Sequence, residues 1–196
     1  MTDKASNWNL PNALTVVRIA MVPLFGWVLL SHPHDPTWRV AATAVFVIAI
    51  LTDFADGKIA RRYGQVTDFG KLWDPVADKA LTGMAFIGLG ILGELYWWVI
   101  IVILIREWGI TALRAAIAKY GIMAANRGGK AKTAMQSLAL TLFLLWLPQL
   151  PNWLQFLAWV AMWIAFALTV ITGFDYLREA ARLRKDALAD TERKPS

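Results

Sequence analysis

Four aspartates, Asp53, Asp56, Asp74 and Asp78, stand in a largely apolar sequence that gives acidic side chains few reasons to be there. Asp53 and Asp56 close an apolar stretch that ends Leu51-Thr52-Asp53-Phe54-Ala55-Asp56-Gly57-Lys58-Ile59-Ala60-Arg61, and Gly70, Asp74 and Asp78 open the next at i, i+4 and i+8. On a helix turning about 100° per residue, Asp53, Asp56, Gly57 and Ala60 share one face, and Gly70, Asp74 and Asp78 share another. Two consecutive helices joined by a short loop can aim both faces at one small volume. Four anions placed so repel one another and call for a counter-cation. Oxygen donors without Cys or His select a hard ion, so Mg²⁺ or Mn²⁺ is expected, with Ca²⁺ also compatible. Gly57 and Ala60 leave room beside it for a substrate. Pairing with Lys58, Arg61, Lys71 or Lys79 would explain any one of these acids, but intramembrane ionisable residues taken as a set point to function. Asp68 lies off the shared face and is expected to begin a helix rather than to ligate.

A second charged set is cationic. Arg106 sits well inside another apolar stretch, where an unpaired guanidinium is costly, so it is expected to face a polar cavity or to pair with an acid. Glu107 is adjacent, but its helical position points about 100° away. Arg114 follows Arg106 by about two turns, so both can line one side of a cleft, and with Lys130 they would bind a phosphate through charge-assisted hydrogen bonds. Lys119, Arg127, Lys130 and Lys132, each taken singly, read equally well as charges that set membrane topology. His32 and His34 are read as an exposed loop rather than as metal ligands.

The elements that must position these groups are transmembrane helices. Of 196 residues 58% are hydrophobic and 17% charged, which excludes an ordinary water-soluble globule. Apolar segments at 13–31, 39–60, 75–93, 95–118, 131–147 and 153–175 each approach the length of a bilayer crossing. Thr133 to Phe174 is 42 residues without Asp, Glu, Lys or Arg, broken only by Pro148-Gln149-Leu150-Pro151-Asn152, and so reads as two spans and a tight turn. Residues 1–9 lack the pattern of a cleavable signal and read as a short interfacial segment, with 176–196 a charged tail. The fold class expected is therefore all-α integral membrane with six spans, one domain over 1–196. Basic residues gather in alternate loops (Arg61, Arg62 and Lys71; then Lys119, Arg127, Lys130 and Lys132; then the tail), which puts both termini and the acids on the cytoplasmic side. Trp97, Trp98, Trp146 and Trp153 suit an aromatic belt on the opposite face. Cysteine is absent, excluding disulfides, thiolate metal sites and a cysteine nucleophile. The net charge of +6 suits topology and anionic lipid, so no nucleic-acid partner is expected.

The stretch from Asp53 to Asp78 reads Asp-x2-Asp-Gly-x2-Ala-Arg-x8-Gly-x3-Asp-x3-Asp. It resembles the signature of the CDP-alcohol phosphotransferase family without a departure, and the resemblance extends over nearly the whole chain. It implies six transmembrane helices and a homodimer, with Asp53, Asp56, Asp74 and Asp78 around two metal ions. Gly57, Ala60, Arg61 and Gly70 then belong to the cytidine-diphosphate pocket, and Asp78 is the base. The implied donor is CDP-diacylglycerol, its acyl chains in the bilayer and CMP its leaving group. Leu10-Pro11-Asn12-Ala13-Leu14-Thr15 with Arg18, Arg106-Glu107-Trp108 through Leu113-Arg114, and Gly129-Lys130-Ala131-Lys132-Thr133 resemble the branch that uses glycerol 3-phosphate. In that branch the positions of Arg106, Arg114 and Lys130 hold the acceptor's phosphate. Inositol phosphate, serine and phosphatidylglycerol are the acceptors of neighbouring branches. A divalent-cation carrier is the rival from another class, although it would need its acids near mid-membrane, with access from both faces.

Overall fold

The structure, a computed structural model, describes residues 10–63, 68–118 and 127–192; within these ranges the side chains at 10–12, 53–63, 68–72, 74–75, 78, 127 and 187–192 are not described. Among the described residues there are six α-helices and no strand: α1 (Leu10–Ser31), α2 (Pro36–Tyr63), α3 (Asp68–Ile91), α4 (Trp97–Ile117), α5 (Arg127–Leu144) and α6 (Asn152–Glu192). A single 3-10 turn, Leu147–Gln149, occupies the Pro-containing break between α5 and α6. Each helix overlaps one of the apolar segments. α6 runs on through the charged tail to Glu192, so the tail extends the last helix without a break. The interfacial segment expected at 1–9 lies outside the described residues. Among the described residues, two helices are long and apolar enough to cross a membrane, at Ala13–Ser31 and Asn152–Asp186.

The chain divides into two compact units, residues 1–96 with 140–155, and residues 97–139 with 156–196. In the first, α1 packs against both α2 and α3. Phe25, Leu29, Phe46, Phe86 and Leu89 are fully buried there, with small Ala42, Ala49 and Ala85 between them. Gly88 makes the α1–α3 approach possible, because a Cβ at that position would come 2.6 Å from Leu29 Cδ2.

Local signals set the helix ends of this unit. Asp35 caps α2, its Oδ1 accepting from Thr37 N–H at 2.7 Å, and Pro36 fills the first helical position, where its missing N–H is no loss. Gly93, at φ 70°, ends α3 in the left-handed conformation, and Glu94 N–H then bonds back to Leu89 O at 2.9 Å. That turn presents the Glu94 carboxylate to Arg39, whose Nη2 donates to it at 2.5 Å. Arg39 also donates from Nε to Leu144 O at 3.1 Å and from Nη2 to Phe143 O at 3.0 Å. It thereby satisfies two terminal carbonyls of α5, the negative end of that helix. Arg39 is 1% exposed and acts as the cap of a helix more than a hundred residues away.

In the second unit, buried Val99, Ile100 and Ile103 of α4 share the core with Ala161, Met162 and Ala165 of α6. Trp98 meets Trp163 and Phe166 with ring centroids 5.8 and 5.5 Å apart. His32 and His34 are exposed and rest on tryptophans, His32 on Trp38 at 4.5 Å and His34 near Trp146 at 6.0 Å.

Candidate active site

The carboxylate positions fall on unbroken helical backbone. α2 carries Asp53, Asp56, Gly57, Ala60 and Arg61 within its last three turns, and α3 carries Gly70, Asp74 and Asp78 within its first three. Asp53 and Asp56 are therefore one turn apart on one helix, and Asp74 and Asp78 one turn apart on the other. α3 begins at Asp68, in keeping with a helix-start residue. The side chains of all eight motif residues lie outside the described residues. The donor set, carboxylate only, has the chemistry that holds a hard divalent cation. Among the described residues no group of three acids or histidines forms a competing metal site.

Of the cationic set, Arg106, Arg114, Lys130 and Lys132 are described and belong to the second unit, whereas Lys119 and the side chain of Arg127 lie outside the described residues. Arg106 of α4 donates from Nη2 to Thr172 Oγ1 of α6 at 2.6 Å and from Nη1 to Glu107 Oε1 at 3.0 Å. Helical position alone turns Glu107 away from Arg106, yet the two meet, because the long arginine side chain leans toward α6. Gly173 admits it: a Cβ there would lie 3.3 Å from Arg106 Cγ. The same Glu107 Oε1 accepts from Lys132 Nζ of α5. Lys132 is 5% exposed, so it is a buried partner as well as a charge counted toward topology.

Tyr176 of α6 gathers the arginines. The Arg106 guanidinium lies 5.6 Å from the centre of its ring and that of Arg114 4.8 Å, with Arg114 Nη2 3.4 Å from the hydroxyl. The ring's negative face attracts both cations, of which Arg106 is largely buried and Arg114 exposed. Arg106 and Arg114, two turns apart on α4, are thus brought together. Lys130 is exposed: it precedes buried Lys132 by two residues, about 200° round α5, so the structure does not bring it together with Arg106 and Arg114. A cavity of about 480 Å³ runs between α4 and α6, and Arg106 is its one charged lining residue amid Val, Ile, Leu, Phe and Gly. Sequence reasoning missed Tyr176, Thr172 and the pairing role of Lys132. A single aromatic or Thr in an apolar run carries no such signal, since its partners lie on other helices.

Tyr176→Leu is expected to keep the fold while releasing both arginines from their shared platform. For the phosphorylated acceptor that the sequence resemblance implies, the Michaelis constant should rise about 5- to 30-fold, on the scale of 1 to 2 kcal/mol for two cation–π contacts. Steady-state kinetics with the CDP-lipid held saturating would measure it, and Tyr176→Phe, which keeps the ring, should lose far less.

Comparison with known proteins settles the family. The model of the CDP-alcohol phosphatidyltransferase family matches residues 8–171. This chain belongs to the CDP-alcohol phosphatidyltransferase family. A probable phosphatidylglycerophosphate synthase of Mycobacterium tuberculosis (strain ATCC 25618 / H37Rv) is 47% identical over 175 residues, covering 89% of this chain and 82% of its own length. The CDP-diacylglycerol--glycerol-3-phosphate 3-phosphatidyltransferase of Bacillus subtilis (strain 168) is 38% identical over 183 residues, 86% of this chain and 93% of its own. The protein of that same name from Shigella flexneri serotype 5b (strain 8401) is 36% identical over 182 residues, 88% of this chain and 95% of its own. As a CDP-alcohol phosphatidyltransferase the chain is a transferase, which sets aside the cation carrier. The family is generally dependent on a divalent metal, and the all-carboxylate motif fits that requirement. Family membership and the two long apolar helices associate this transferase with a membrane.

Proposed function

We propose that this chain transfers the phosphatidyl group of CDP-diacylglycerol to glycerol 3-phosphate, giving phosphatidylglycerophosphate and CMP. The observation that carries the reading is the cluster of Arg106, Arg114 and Lys132 around Tyr176 and Glu107, a cationic site suited to an anionic acceptor, in a chain that also bears the complete carboxylate motif. The names of the relatives accord with it.

The chemistry assigned to each residue follows from the substrates. Asp53, Asp56, Asp74 and Asp78 would hold two Mg²⁺ or Mn²⁺ ions. Bound there, the ions would neutralise diphosphate charge and stabilise the departing phosphate. Gly57, Ala60 and Gly70, which lack bulk, and Arg61, which supplies charge, would form the cytidine-diphosphate pocket. Arg106 and Arg114, with Lys130 at the rim, would bind the acceptor's phosphate by charge-assisted hydrogen bonds. Asp78 takes the proton of the acceptor hydroxyl as its oxygen attacks the phosphorus that bears diacylglycerol. The bond from that phosphorus to the bridging oxygen breaks, and CMP leaves with the electron pair.

The same reading treats 1–196 as one membrane-embedded domain. It has six spans at 13–31, 39–60, 75–93, 95–118, 131–147 and 153–175, both termini and the active site on the cytoplasmic face, and a homodimeric assembly. The match of the six helices to these segments supports the span count, and the alternation of basic and nearly uncharged loops supports the orientation.

A direct assay tests the reaction: CMP release from CDP-diacylglycerol by the purified protein in detergent–lipid micelles, with glycerol 3-phosphate, inositol 1-phosphate or serine supplied in parallel, with and without Mg²⁺. Release is expected with glycerol 3-phosphate in preference to the others and only with metal. Preference for another acceptor overturns the substrate assignment, and metal-independent release overturns the mechanism.

A further inference from the structure

Three charged side chains meet in the second unit at one carboxylate oxygen. Glu107 Oε1 accepts from Arg106 Nη1 at 3.0 Å and from Lys132 Nζ, while Oε2 makes no described hydrogen bond. All three side chains are nearly buried, with 13%, 14% and 6% of Arg106, Glu107 and Lys132 exposed. Two cations so close in a poorly solvated place repel each other, and the shared carboxylate is what lets both remain there. A clamp serving only to join helices would need a single cation. Here one acid meets two, and Arg114 adds a third over the same Tyr176 ring that faces Arg106. Arg106 Nε, moreover, is buried and has no hydrogen-bond partner among the described residues, so the guanidinium retains an unused donor.

We infer that Glu107 is a positioning residue for the acceptor's phosphate: it fixes the Arg106 guanidinium and the Lys132 ammonium in the spacing that receives the anion, and through it Lys132 joins that site. This rests on the proposed reading of a phosphorylated acceptor. Loss of the Glu107 carboxylate therefore misplaces both donors.

The test is steady-state kinetics of the full chain in mixed micelles, varying each substrate in turn. Glu107→Gln keeps the size and one acceptor oxygen but removes the charge. It is expected to raise the Michaelis constant for glycerol 3-phosphate tenfold or more and to leave that for CDP-diacylglycerol within twofold. Lys132→Met should do the same, and the double variant should be no worse than the more impaired single one, because both changes break the same contact. Unchanged acceptor constants, constants for both substrates that rise together, or effects that multiply in the double variant would overturn the assignment. Lys132→Met also keeps the question answerable should Glu107→Gln fail to fold. Wild-type protein that releases no CMP with glycerol 3-phosphate defeats the reading itself, whereas an active wild type with an indifferent Glu107→Gln defeats this inference alone.

Discussion

Asp78→Asn is expected to lower CMP release by about 10³-fold or more at saturating substrates and metal, without loss of folded protein. Two losses combine. General-base catalysis contributes about 10²- to 10⁴-fold, and an amide cannot take the acceptor's proton. The same change removes an anionic donor from the proposed all-carboxylate metal site, where a neutral amide oxygen would be the weaker ligand for a hard ion. Raising the metal concentration should therefore restore only part of the activity, namely the part lost through weaker binding. The matched control is Asp68→Asn at the start of α3, off the motif face, which should leave turnover nearly unchanged. CMP release by both variants over a range of Mg²⁺, with thermal unfolding in parallel, separates the two contributions. Turnover by Asp78→Asn within tenfold of wild type would remove the base assignment and leave the residue at most a ligand.

The second large effect concerns stability. Arg39→Ala strips Glu94 of its charge partner and leaves the carbonyls of Phe143 and Leu144 without their guanidinium donors, all in one substitution. Breaking a buried ion pair from one side costs about 3 to 5 kcal/mol, because the remaining charge stays buried and uncompensated. The α5 end is also conformationally demanding, since Trp146 follows it at φ 65°, a left-handed conformation that glycine adopts more easily. A marked fall in unfolding temperature in detergent is expected. Replacing both partners, Arg39→Met with Glu94→Leu, should recover a large part of it, because an apolar pair leaves no charge stranded. If the double replacement is no better than Arg39→Ala, the cost lies in the lost carbonyl bonds rather than in the ion pair.

These two residues mark how differently the parts of this molecule could be read from its sequence. The helical placement of Asp78 was legible because Gly70, Asp74 and Asp78 repeat at helical spacing within a short stretch, and periodicity alone puts them on one face. Arg39 belongs to no such pattern. Its burial follows from the meeting of the α2 start, the turn after α3 and the end of α5, and no local pattern encodes that encounter. Glu107 is the instructive intermediate. Its angular position on α4 points away from Arg106, but the space left by Gly173 lets the arginine lean and reach the carboxylate. Side-chain length and a neighbouring helix override the wheel.

By itself the sequence determined the helical class, the six apolar segments and their breaks, and the placement of the carboxylate motif on two consecutive helices. These rest on composition, on periodicity and on turn residues such as Asp35-Pro36 and Gly93, which act within a few positions. Only the tertiary structure decided which cation goes with which acid: Arg39 with Glu94 and the end of α5, Arg106 and Lys132 with Glu107, and Arg114 with Tyr176. The physical reason is separation along the chain. The contacts from Arg39 to Leu144, Arg106 to Thr172 and Arg114 to Tyr176 span 105, 66 and 62 residues. Their energies depend on burial and distance, which exist only once the helices have packed.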